Sequence, residues 1–141
     1  MDRKYIYLDN NATTKVDERV LEAMLPYFKE EYANPSSMYD FAKPSSRAIK
    51  EARGVIKDFI NAKDEKEIIF TSCGSESANT GIRGVLNYNK NKKHIITTTV
   101  EHPCVLNVFK MLEKQGYRVD YIPVNSNGEL DLEALEAAVD E

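Results

Sequence analysis

Long apolar runs are missing from this sequence. No window approaches the roughly 18 apolar residues of a membrane span, and the start, MDRKYIYLDNNATT, lacks the apolar stretch of a secretory leader. Both absences make a cytoplasmic location the expectation and give no argument for a membrane partner. Cysteine is scarce as well. Cys73 and Cys104 are the two present, too few for a disulfide framework and without metal-ligand spacing, so reduced thiols and no metal site are expected. There is no basic stripe either: 19 Lys and Arg against 23 Asp and Glu leave a net charge of -4, with the cations spread along the chain. Nucleic acid is therefore not an expected partner. The densest basic stretch, NKNKKH at 89–94, falls between a helical pattern and a strand pattern and reads as a solvated loop.

What the sequence does have is an ordinary folding composition, 42% hydrophobic and 30% charged over 141 residues, with one domain as the default count. A short strand-like stretch, YIYLD (5–9), leads through a polar turn into a helical pattern capped by Asp17. Val20, Leu21, Met24, Leu25 and Phe28 share one face of it, and Pro26 is expected to interrupt it. YANPSSMYDFAKPSS (32–46) reads as a loop, long enough to be either functional or a plain surface excursion. Pro44 suits the first turn of a second helix, on which Ala48, Ala52, Val55 and Phe59 form one row and Ile49, Ile56 and Ile60 its neighbour; this broad stripe is expected to be buried.

Three strand-like runs follow: EIIFTS (67–72), HIITTT (94–99) and YRVDYIPV (117–124), each β-branched or aromatic. Ala78, Ile82, Val85 and Leu86 make a helical face in the first gap. Val105, Val108, Phe109 and Leu112 make one in the second, before Gly116 ends that helix. The resulting βαβαβ order predicts an α/β architecture with a parallel sheet. An Asn127-Gly128 turn, an N-cap at Asp131 and a helix with Leu132, Leu135 and Val139 facing inward close the sequence. Asp140 and Glu141 then place negative charge at the negative end of that helix, with no capping Gly or Asn, and three strands are few for this architecture. The pattern reads as a chain cut short.

In parallel α/β sheets ligands bind beyond the carboxyl ends of the strands, at helix N-termini. Two junctions qualify. At Ser72-Cys73-Gly74-Ser75-Glu76, Gly74 allows close backbone approach and Ser75 offers a hydroxyl and an N–H to a phosphate, although on spacing alone the plainer reading is that Ser75 merely caps its own helix. The pattern is neither a Walker loop nor a dinucleotide fingerprint. At TVEHPCVL (99–106), His102 ends a strand and Pro103 opens a helix, which makes His102 either structural or catalytic. Cys104 lies too near His102 along the helix start for the two side chains to face each other, so a small buried thiol explains it better than a nucleophile.

Taken in order, YLDNNATT, NPSS (34–37), EIIFTSCGSES (67–77), HIITTTVEHPCVL (94–106) and NGELDLEALEAA (127–138) resemble the N-terminal part of the cysteine desulfurases. These are class V aminotransferase relatives among the fold-type I pyridoxal-phosphate enzymes. The resemblance covers essentially the whole chain. It implies the N-terminal part of a three-layer α/β large domain with a mainly parallel sheet: residues 1–66 as an N-terminal segment with helices and an active-site loop, 67–141 as the start of the cofactor-binding domain. It also implies pyridoxal 5'-phosphate as cofactor and L-cysteine as substrate, with sulfur passed to an enzyme cysteine as a persulfide for iron–sulfur cluster or thio-cofactor assembly. Gly74 and Ser75 match the phosphate-binding positions, His102 the histidine that stacks on the pyridine ring and assists proton transfer, and Asn11 and Ala12 lie nearest the substrate.

The sequence departs from the family at several points. Cys73 stands where Gly is usual, and its Cβ is expected to cost about 1 kcal/mol if the residue is left-handed. Ser75 replaces Thr but keeps the hydroxyl, Tyr39 replaces a frequent His, and Ala42 a usual Gly. The family's aldehyde-binding lysine, its pyridine-nitrogen aspartate and its sulfur-accepting cysteine match nothing here, so weak or no cofactor binding and no activity alone are expected. The partners implied are a separate C-terminal half, a full-length desulfurase subunit or an iron–sulfur scaffold protein. Alternatives are a non-catalytic interaction module, half of a split enzyme, or a related class V aminotransferase or selenocysteine lyase.

Overall fold

A computed structural model describes residues 5–139. The chain divides into two compact units, Met1–Ile69 and Phe70–Glu141.

The first unit is helical. Helix α1, Glu18–Lys29, starts as its sequence dictates: the Asp17 carboxylate accepts the Arg19 N–H at 2.9 Å and also receives that residue's guanidinium. Pro26 lies inside α1 rather than breaking it. The N–H groups of Glu30 and Glu31 both reach the Pro26 carbonyl, and the helix ends at Lys29. A 3₁₀ turn, Asp40–Ala42, runs directly into helix α2, Lys43–Phe59, with Pro44 in its first turn. Here the Ser45 hydroxyl donates to the Glu31 carbonyl, and the Tyr32 and Phe41 rings meet edge to face at 5.5 Å. Arg53 donates to the Ile68 carbonyl at 3.2 Å. Among the described residues of this unit, Ala33, Ala42, Ser45 and Ile68 are buried.

The expected burial of the α2 stripe does not occur: Val55 and Phe59 are 69% and 89% exposed, and the shared face of α1, Val20, Leu21, Met24, Leu25 and Phe28, is exposed as well. An apolar stripe needs a facing layer, and among the described residues of this unit neither helix meets one. YIYLD forms no strand, and its Tyr5, Ile6 and Leu8 are exposed.

The second unit is a βαβ fold with one more helix at each end. Helix α3, Gly74–Tyr88, precedes β1, His94–Thr98; helix α4, Pro103–Lys114, crosses to β2, Arg118–Ile122, and helix α5, Leu132–Ala138, follows. The strands are parallel, His94 opposite Arg118 through Thr98 opposite Ile122. Val108, Phe109 and Leu112 of α4 form the core, with Ile82 and Leu86 of α3 and Ile95, Val119 and Tyr121 of the sheet packed around them. Gly116 stops α4 at φ +87, the left-handed value that glycine tolerates without strain, and Tyr117 N–H returns to the Leu112 carbonyl. Gly128, at φ +82, closes the expected turn, and Asp131 caps α5 through the Ala134 N–H. Lys93 of the basic loop lies over the Tyr117 ring at 4.2 Å.

Three expectations change here. Glu67 belongs to a 3₁₀ turn, Glu65–Glu67, and Ile68 to Ser72 pair with no strand, so βαβαβ reduces to a two-stranded parallel sheet among the described residues. β-branched composition marks a segment fit for a sheet, but a strand forms only where a neighbour satisfies its backbone groups. Val85 of α3 is 63% exposed, off the face that meets α4. Leu132 of α5 and Val139, the residue just after its end, are 63% and 62% exposed, leaving Leu135 half-buried. The terminal charges Asp140 and Glu141 lie outside the described residues. The architecture remains mixed helix and parallel sheet, and no described helix is long and apolar enough to cross a membrane.

Candidate functional site

The two junctions singled out in the sequence are the N-terminal turns of α3 and α4. At the first, Cys73 is the N-cap residue with φ -166 and ψ 169, extended backbone that any residue adopts. The expected left-handed strain at this departure from glycine is therefore absent. The helix entry is tied down by its neighbours. The Ser72 N–H and hydroxyl both donate to the Glu76 carboxylate at 2.7 and 2.6 Å, while the Thr71 hydroxyl pairs with that of Ser77 and also donates to the Cys73 carbonyl at 3.2 Å. Those two bonds from Ser72 hold the Glu76 carboxyl below its ordinary range, the hydroxyl contributing most.

Glu76, not Ser75, thus ties the helix start back to the residues before it. Ser75 sits in the first turn, where N–H groups have no carbonyl four residues earlier within the helix, and its side chain is exposed. Apart from its chain neighbours and its own helix backbone, no atom lies within 4 Å of where a Cβ on Gly74 would be, so the residue faces open space. The Cys73 thiol is held below its ordinary value, first by the Glu76 N–H and then by the Ser72 hydroxyl. It makes no aligned cap hydrogen bond, so the helix end acts on it as a nearby positive field.

At the second junction His102 is the N-cap of α4. Its Nδ1 accepts the Cys104 N–H at 3.1 Å, which places the proton of the neutral ring on Nε2. The ring engages the Cys104 backbone; Cys73 and Cys104 are both free thiols. Just before it, the Thr98 hydroxyl donates to the Glu101 carboxylate at 3.1 Å.

Asn79 joins the two junctions. Its side-chain amide donates to the Ser75 carbonyl at 2.8 Å and to the Cys104 carbonyl at 3.3 Å. The first turns of α3 and α4 are thereby within one side chain of each other, bringing the segments that carry Gly74, Ser75 and His102 together. Sequence reasoning missed Asn79. Its signal was a polar residue on the row Ser75, Asn79, Ile82, Leu86, two members of which pack on the core.

Asn11 and Ala12 belong to the other unit, in an exposed turn where the Ala12 N–H donates to the Asp9 carbonyl at 3.1 Å. Tyr39 is exposed there. Ala42 is fully buried at φ -86, a right-handed value that requires no glycine. Among the described residues no group of His, Cys, Asp and Glu is placed to hold a metal ion.

Residues 6–141 match the aminotransferase class-V family. A cysteine desulfurase of Nostoc sp. is 55% identical over 134 residues, 95% of this chain and 33% of the relative. The cysteine desulfurase NifS of Azotobacter vinelandii is 46% identical over 91% of this chain and 32% of its own length. Among solved structures, a NifS-like protein superposes with a TM-score of 0.89 at 42% identity, over 96% of this chain and 37% of that one. SspA, solved in complex with cysteine, gives 0.86 at 38% identity, over 95% and 39%. The chain spans about a third of the length of the curated relatives it matches. With the matched family covering all but its first residues, the chain belongs to the class-V aminotransferases.

Proposed function

We propose that this chain supplies the N-terminal part of a pyridoxal 5'-phosphate-dependent cysteine desulfurase, which moves sulfur from L-cysteine to an enzyme cysteine as a persulfide and leaves L-alanine. One observation carries the reading: an open helix start at Gly74 and Ser75 is tied through Asn79 to the turn capped by His102, in a chain 55% identical to a cysteine desulfurase. Gly74 faces open space and the backbone before it is unstrained, so the first turn of α3 suits a phosphate.

In this reading the N–H groups of Gly74 and Ser75 and the Ser75 hydroxyl bind the phosphate at the positive end of α3. His102 stacks on the cofactor ring and assists proton transfer; while its Nδ1 accepts the Cys104 N–H, its Nε2–H is the group left to donate a hydrogen bond outward. Asn11 and Ala12 border the substrate. Bound pyridoxal phosphate supplies an electron sink for bond changes on the amino acid. The lysine for its aldehyde, the aspartate for its ring nitrogen and the sulfur-accepting cysteine come from outside these residues. Onward use of the sulfur in iron–sulfur or thio-cofactor assembly, a scaffold-protein partner and a cytoplasmic location belong to the same proposal.

The isolated chain should therefore release neither alanine nor sulfide from L-cysteine with added pyridoxal phosphate. Sustained turnover by the chain alone would overturn this. The uncovered apolar faces of α1 and α2 favour a second reading, a non-catalytic module docking onto a desulfurase subunit or a separate C-terminal half. A chain that stays monomeric in light scattering when mixed with either would count against it.

A further inference from the structure

We propose that Asn79 is a positioning residue that sets the distance between the two junctions, holding the His102-bearing turn of α4 against the Gly74–Ser75 turn of α3. The role assigned to those turns rests on the function proposed above; the tie itself does not. A continuous chain of hydrogen bonds runs through it. The Asn79 amide donates to the Ser75 carbonyl at 2.8 Å and the Cys104 carbonyl at 3.3 Å, and the Cys104 N–H donates to His102 Nδ1 at 3.1 Å. Both carbonyls have a second lone pair for their own helix bonds, so the two side-chain bonds add to the helices rather than compete with them. Only the nitrogen of Asn79 can face two acceptors, which fixes the orientation of its amide.

The location makes this tie matter. Further along, α3 and α4 are joined by Ile82 and Leu86 against Val108, Phe109 and Leu112, contacts that are apolar and non-directional. Another polar contact between the helices, Arg83 to the Met111 sulfur at 3.2 Å, lies one to two turns further from the junctions and involves a weak acceptor. At the junction end Asn79 is the directional contact. Losing it leaves the helices packed but their first turns free to separate, and with them the phosphate-facing and ring-facing groups.

A wild-type measurement tests the tie without any variant or ligand. The Asn79 side-chain amide protons should exchange with solvent at least ~10-fold more slowly than those of exposed Asn107; equal rates would overturn the proposal. Two variants then separate donation from packing. Asn79→Ala should speed exchange of the Cys104 amide ~10-fold and shift the His102 ring nitrogen signals, with far-UV circular dichroism unchanged. Asn79→Asp keeps the shape but aims a carboxylate at two carbonyls, so it should perturb both signals more than Ala does. An Asp variant indistinguishable from wild type would overturn the proposal. Pyridoxamine 5'-phosphate, which has no aldehyde to react with surface lysines, serves as the ligand probe, and its dissociation constant should rise ~10-fold in both variants. If wild type binds no probe while the exchange and ring signals respond as stated, the tie stands and the cofactor reading fails. If wild type binds and the variants match it in every readout, the tie fails and the cofactor reading stands.

Discussion

Helices α2 and α4 carry apolar rows of similar regularity, yet the rows end in opposite surroundings. Val108, Phe109 and Leu112 of α4 are 4%, 6% and 4% exposed, whereas Val55, Phe59 and Ile60 at the end of α2 are 69%, 89% and 57% exposed. The difference lies in what each helix meets, not in its own pattern. α4 crosses between two paired strands and has α3 beside it, so its row is covered from two sides. α2 meets a 3₁₀ turn before it, another after it and the few buried residues of its own unit. Amphipathic spacing thus identifies a face that needs cover, and topology decides whether cover arrives.

The strongest way to break this comparison is at α4. Phe109→Ala should cost the 70–139 unit roughly 3–5 kcal/mol, the usual loss for a buried aromatic, seen as a large fall in urea midpoint. A loss near zero would mean that α4 is not the core helix. A smaller effect is expected at the sheet. Arg118 and then His94 hold the Asp120 carboxyl below its ordinary 3.8, with contacts of 2.7 and 2.8 Å. A carboxyl lowered on folding adds stability above its unfolded value and loses that stability as pH falls through the folded value. Urea midpoints should therefore decline as pH drops below about 4, and Asp120→Asn should flatten that decline while lowering the midpoint at pH 7. The smallest effect belongs to α2: Phe59→Ala should stay within about 0.5 kcal/mol because the ring is already 89% exposed. A loss comparable to that of Phe109→Ala would show that the two helices are equally covered.

Local chemistry was legible in the sequence wherever it is decided locally. Asp17 and Asp131 cap as their neighbours suggest, Gly116 and Gly128 take the positive φ their positions ask for, and Pro103 opens α4 directly after His102. The parallel pairing of 94–98 with 118–122 was legible too, because a helix of crossover length separates two β-branched runs. What the sequence could not settle depends on partners. Among the described residues EIIFTS has the composition of a strand and no strand beside it, and the rows on α1 and α2 have no facing layer.

At the site the same division holds. Gly74, Ser75 and His102 stood out because strand-to-helix junctions are readable, whereas Asn79 did not, since its importance comes from a carbonyl 25 residues away. The cost attached to Cys73 applied only to a left-handed residue, and its backbone is extended, so that cost does not arise.

The central claim is that the first turn of α3, with His102 beside it, holds the phosphate end of pyridoxal phosphate. Titrating the ¹⁵N-labelled chain with pyridoxamine 5'-phosphate and following backbone amides and histidine rings tests it most directly. Saturable shifts centred on Gly74, Ser75 and His102, reversed by excess inorganic phosphate and weakened by Ser75→Ala, are the expected result. Shifts centred instead on the basic loop at Asn89 to His94, or no shift at Gly74 and Ser75 at millimolar ligand, would contradict it.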